Sequence, residues 1–110
     1  MAYDEKLADR VRKQLGKRKG LTEKKMFGGI AFMVKGNMCV GVHKDELIVR
    51  IERDATDKSV AEKHVRIFDL SGGSPMKGWI LVDSSGVSTE PALAKWIRMG
   101  VDYADSLPKK

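Results

Sequence analysis

Cysteine is nearly absent from this chain of 110 residues: Cys39 stands alone. A single thiol closes no intramolecular disulfide, so the framework that supports many small secreted domains is excluded, and a reducing, cytoplasmic setting is the expectation. Long apolar runs are missing too. The longest, Ile30 to Val34, falls far short of the roughly 20 residues that span a bilayer. The polar start, Met1 to Lys6, has no apolar stretch of the kind a secretory signal needs. Aromatic residues are few, at 6%, which leaves little of the base-stacking surface that single-strand binders use. Glycine-rich phosphate patterns are also lacking. Gly28-Gly29 and Gly72-Gly73 belong to neither a Walker sequence nor a GxGxxG, and the serines occupy no GxSxG elbow.

What is present fits one soluble domain spanning residues 1–110. Hydrophobic residues make up 42% and charged residues 33%, a balance that supports a packed core. Twenty-one Lys and Arg against fifteen Asp and Glu leave a net charge of +6, which favours acidic partners without naming one.

Hydrophobic periodicity divides the chain. Leu7, Ala8, Val11 and Leu15 recur at helical spacing between Asp4, a capping residue, and Gly16. Short strands follow: Thr22 to Phe27, Ile30 to Val34, Met38 to His43, and Leu47 to Glu52, with turn chemistry at Lys35-Gly36-Asn37 and Lys44-Asp45-Glu46. Asp54 to His64 reads as a short helix capped by Asp54 or Thr56. Val65 to Asp69 and Trp79 to Val82 read as two further strands, separated by a Gly/Ser/Pro loop. Thr89 to Ser106 closes the chain as a helix, with Leu93, Trp96, Ile97, Val101 and Ala104 on one stripe and Pro91 in its first turn. The order α-β-β-β-β-α-β-β-α predicts a two-layer α+β domain with helices packed on one mainly antiparallel sheet.

Candidate chemistry is thin. Cys39 and His43, four apart on a strand, are expected on one sheet face but roughly 13 Å apart, too far for a dyad. One Cys and two separated His, His43 and His64, do not supply a four-residue Cys/His zinc site, so no metal or other cofactor is expected. No catalytic constellation emerges, and a non-enzymatic protein is the reading. Two surfaces stand out instead. Arg10, Arg12, Lys13, Lys17, Arg18, Lys19, Lys24 and Lys25 form a basic region able to meet nucleic-acid phosphates, although a solvated charged face explains it more simply. Ala31, Met33, Cys39, Gly41 and Ile48 make the sheet face opposite Phe32, Val40 and Val49 unusually apolar, which fits a surface that a protein partner or a second copy would cover and equally a face misassigned by a one-residue slip or covered by a helix of the chain itself.

Four strings together resemble the N-terminal domain of the TfoX/Sxy competence regulators: Lys24-Lys25-Met26-Phe27-Gly28-Gly29-Ile30-Ala31-Phe32, Gly36-Asn37-Met38-Cys39-Val40-Gly41-Val42, Pro75-Met76-Lys77-Gly78-Trp79 and Leu93-Ala94-Lys95-Trp96-Ile97. The resemblance covers nearly the whole chain, and its most specific parts are the Met-Phe-Gly-Gly and Met-Lys-Gly-Trp signatures. It implies helices on one antiparallel sheet and a role as a transcriptional co-regulator, which family members perform with a cyclic-AMP receptor protein and a second, C-terminal helical domain. This chain is expected to be the first domain alone. The family offers no catalytic residues, so its signatures are read first as structure: Gly28, Gly29 and Gly78 for backbone geometry, and Met26, Phe27, Met76 and Trp79 for the core. Lys25 and Lys77 are left as a candidate pair of ligand contacts.

Overall fold

A computed structural model describes residues 3–16, 20–26, 29–68 and 78–108. The first helix, α1 (Glu5–Leu15), starts where the Asp4 carboxylate accepts hydrogen bonds from the amides of Lys6 and Leu7, and it ends at Gly16, whose φ is +63°. Its buried residues are Leu7, Ala8, Val11 and Leu15, the stripe expected from their spacing.

Four strands follow in hairpin succession: β1 (Leu21–Met26), β2 (Gly29–Val34), β3 (Asn37–His43) and β4 (Glu46–Arg50). Between β2 and β3 the two loop residues Lys35 and Gly36 both have positive φ, at +52° and +83°. That geometry is the one whose twist matches two paired strands. After β4 the chain makes one 3₁₀ turn (Arg53–Ala55) and the short helix α2 (Thr56–Val60). Next come β5 (Val65–Ile67) and β6 (Trp79–Val82), a second 3₁₀ turn (Ser84–Val87), and α3 (Glu90–Ser106). α3 is capped by the Thr89 hydroxyl accepting from the amide of Ala92, with proline in its first turn. The six strands form one antiparallel sheet in the order β1-β2-β3-β4-β6-β5. The expected α+β architecture and element order are therefore observed. The short helix is shorter than its sequence span, and its expected cap is absent. The Thr56 hydroxyl instead donates to the Glu52 carbonyl and accepts from the Gly78 amide.

The larger core lies between the helices and one sheet face, where Phe32, Leu47, Ile80 and Leu93 are fully buried. The other face is not bare. Ala31, Met38, Ile48, Phe68 and Leu81 are each at most 5% exposed and form a second, smaller cluster, with Met33 and Trp79 half-buried beside it.

The pairing of β2 with β3 slips once. Phe32 faces Val40, but Met33 faces Met38, so Cys39 is an extra residue on β3. This bulge turns Cys39 and Val40 together toward the helices and sends Met38 to the opposite face. Strict alternation would have placed Cys39 with His43. The bulge puts them on opposite faces, which corrects the expectation that the two share one. It also creates the seat for α3: Gly100 packs against the Cys39 carbonyl, where a Cβ would lie 2.9 Å from Val40 Cγ1 and 3.0 Å from the Cys39 carbonyl carbon.

Candidate functional site

The basic region is partly neutralised within the chain. Arg10 Nε donates to Glu90 Oε1 at 2.7 Å and its Nη2 to the Val87 carbonyl at 2.7 Å, which staples α1 to the start of α3. Hydrogen bonds from Arg10 and Gln14 hold the Glu90 carboxyl below its ordinary range. Arg12 donates to both Glu23 oxygens and to Asp9, and the Glu23 hydrogen bond above all raises its already high pKa. Lys13, Lys24 and Lys25 remain exposed, while Lys17, Arg18 and Lys19 lie outside the described residues.

The apolar set of the second face is also redistributed. Cys39 leaves it for the helix-side core, where Sγ donates to the Phe32 carbonyl at 3.2 Å. Ala31, Gly41 and Ile48 do lie on the second face but are buried there by the chain itself. Met33 alone of the five keeps partial exposure. The bulge explains the first change, and the presence of Phe68 in the second cluster accounts for part of the burial.

The described signature residues lie apart, and the candidate pair of Lys25 and Lys77 is not joined among them because Lys77 lies outside the described residues. Lys25 sits on β1 and Trp79 on β6, four strand spacings apart, about 19 Å. They also differ along the strands: Lys25 faces Ile30, in the row that runs through Val42 and Leu47 to Val82, whereas Trp79 faces Arg50 at the other end of β4. Phe27, Gly28, Met76 and Lys77 fall outside the described residues, as does the side chain of Met26. Gly29 is buried, with its Cα directed at β3 so closely that a Cβ would lie 3.1 Å from the Val42 carbonyl carbon. Gly78 is tied on both sides: its amide donates to Thr56 Oγ1 at 2.7 Å, and its carbonyl accepts from the Ile51 amide at 2.8 Å. Thr56 is fully buried, so replacing it with the isosteric valine strands the Gly78 N–H. We expect Thr56→Val to cost about 1–3 kcal/mol and to abolish slow exchange of that amide, as read by urea unfolding and hydrogen exchange.

Trp79 also serves as a platform. The guanidinium carbon of Arg50, directly across the β4–β6 ladder, lies over the Trp79 ring at 5.2 Å and over the Tyr103 ring of α3 at 5.5 Å. Tyr103 in turn lines a cleft of about 310 Å³ between the end of β4 and α3, together with Ile51, Ala55 and Met99, with Glu52 and Asp102 among its polar lining. Arg50 and Tyr103 were not legible as a pair in the sequence. The available signal was a second stripe on α3, Met99 and Tyr103 four apart, running beside the core stripe.

The groups of catalytic type are dispersed. His64 Nδ1 lies 3.2 Å from Asp83 Oδ1 and the Asp83 amide donates to the His64 carbonyl, a contact that closes the β5–β6 pair. His43 stands on the second face near the paired Glu46 and Arg66. Among the described residues no three His, Cys, Asp or Glu side chains are grouped to hold a metal, and no helix is long and apolar enough to cross a membrane.

Comparison with known proteins bears on this geometry in one way. A family model described as the TfoX N-terminal domain matches residues 13–104. No curated protein and no solved structure matches the chain.

Proposed function

Since the chain belongs to the TfoX N-terminal domain family, we propose that it is a regulatory module that works by binding a protein partner and not by catalysis. Family membership over residues 13–104 is the observation that carries this reading. Surface electrostatics support a protein over a nucleic acid. Arg10 and Arg12, two of the cations that α1 would offer a phosphate backbone, already hold Glu90 and Glu23, which leaves the exposed Lys13, Lys24 and Lys25. Phosphate contacts by those two arginines would come at the expense of their pairs.

Affinity capture on the full chain from its native cell, with and without nuclease, tests the reading. A protein partner retained after nuclease treatment is the expected result. Capture that vanishes with nuclease would instead favour a nucleic-acid-associated regulator. In that case binding to a short duplex should weaken steeply between low and physiological salt. Light scattering across a dilution series identifies a second copy of the chain as the partner if the mass falls from dimer to monomer.

A further inference from the structure

Three arginines are held by acids, Arg10 by Glu90, Arg12 by Glu23 and Asp9, and Arg66 by Glu46, while the exposed Arg53 and Arg98 make no ion pair among the described residues. Arg50 differs. It is half-buried and lies over two rings, those of Trp79 and Tyr103, with no ion pair and no side-chain hydrogen bond among the described residues. No buried side-chain nitrogen or oxygen lacks a partner among those residues, so the unused Arg50 donors are open to water. Two rings beside one guanidinium restrain it and displace part of its hydration. The N–H edge is then a preorganised fork for a carboxylate. The cleft next to it, which shares Tyr103, offers an apolar floor of Ile51, Ala55 and Met99. Glu52 and Asp102 also line that cleft and repel any ligand carrying a dense run of negative charge.

We propose that Arg50, held between Trp79 and Tyr103, is a docking point for a protein segment with one acidic side chain beside one large apolar side chain. The carboxylate meets the guanidinium edge and the apolar group enters the cleft. The net charge of +6 suits an acidic partner, and with Glu52 and Asp102 in its lining the cleft takes only the apolar group, so one carboxylate fits at the Arg50 edge and a polyphosphate backbone is repelled. This inference rests on the partner-binding reading above and names the chemistry of the contact.

The probe is a capped synthetic peptide, Ser-Gly-Leu-Glu-Gly-Ser, titrated into the full chain while the Arg50 Nε–H and Trp79 indole N–H signals are followed by NMR. Both signals are expected to shift together and saturate. The same peptide with Gln in place of Glu should bind about tenfold more weakly, a comparison that leaves the protein unchanged. Arg50→Gln should weaken the original peptide by a similar factor while the amide spectrum away from the cleft stays in place. Equal affinity of the Glu and Gln peptides overturns the proposal, as do unsaturable shifts spread over the surface lysines. A 12-base-pair DNA duplex that moves the Arg50 and Trp79 signals at lower concentration than the peptide also overturns it. Equal capture of a cellular partner by wild-type and Arg50→Gln protein removes this docking point while leaving the partner-binding reading intact. Loss of all capture by the wild type falls on that reading, and the peptide titration still decides the docking point.

Discussion

Gly100→Ala should lower stability by about 3 kcal/mol or more, although alanine is the better helix former by about 1 kcal/mol. The reason is the closeness of α3 to the bulge on β3. The added Cβ would fall within the contact distance of the Cys39 carbonyl oxygen, and backbone does not swing aside as a flexible side chain does. Relief requires α3 to lift, which loosens Leu93, Trp96 and Ile97 from the sheet at the same time. For a domain of this size the melting temperature should fall by roughly 10 °C or more. Thermal and urea unfolding provide the measurement, and an unchanged or raised midpoint would show that α3 has slack the packing denies.

Gly29→Ala should be the second most damaging exchange and should act differently. Its Cβ also meets backbone, at the Val42 carbonyl, so β2 and β3 must separate at that point. Gly29 is the first residue of its strand, however, and a strand end relieves a clash by fraying while a helix pinned at its middle does not. We expect a loss of about 2 kcal/mol. Amide protection should fall most at Ile30, Ala31 and their β3 partners, while α3 amides keep theirs. Uniform loss of protection across the molecule would refute the local character of the change. The signature glycine would then be a structural requirement of the entire fold and not of one strand junction.

The contrast between these two glycines shows what could be read from residues in order. Gly29 sits in the Met-Phe-Gly-Gly signature, and a backbone role was expected of it. Gly100 carries no such mark: it is an unfavourable residue inside a helix, with nothing nearby in sequence to explain it. Its reason lies at Cys39, 61 positions earlier, and only after the bulge has turned that residue toward the helices. The same bulge undid the expected pairing of Cys39 with His43 on one face and removed Cys39 from the apolar patch. A period of two predicts sides reliably until one extra residue intervenes, and nothing in Met38-Cys39-Val40 announces it.

The candidate site was the least legible part. Arg50 was visible only as a charged residue on a mixed strand, and Tyr103 as a residue near the end of a helix. Their meeting depends on β6 pairing next to β4, which sets Trp79 opposite Arg50, and on α3 crossing the same end of the sheet. The basic region was legible as composition but not as chemistry, because the acids that occupy Arg10 and Arg12 include Glu90, 80 positions away.

Local physics acting on neighbouring residues was enough to determine the elements: Asp4 and Thr89 start helices, Lys35 and Gly36 turn a hairpin, and apolar spacing chooses the buried stripes. Whatever depends on two distant segments approaching within a few ångströms was settled by the tertiary structure alone. The partners of the arginines, the burial of the second sheet face and the Arg50 stack belong to that class, because burial and electrostatics respond to distance in space and periodicity records only distance along the chain.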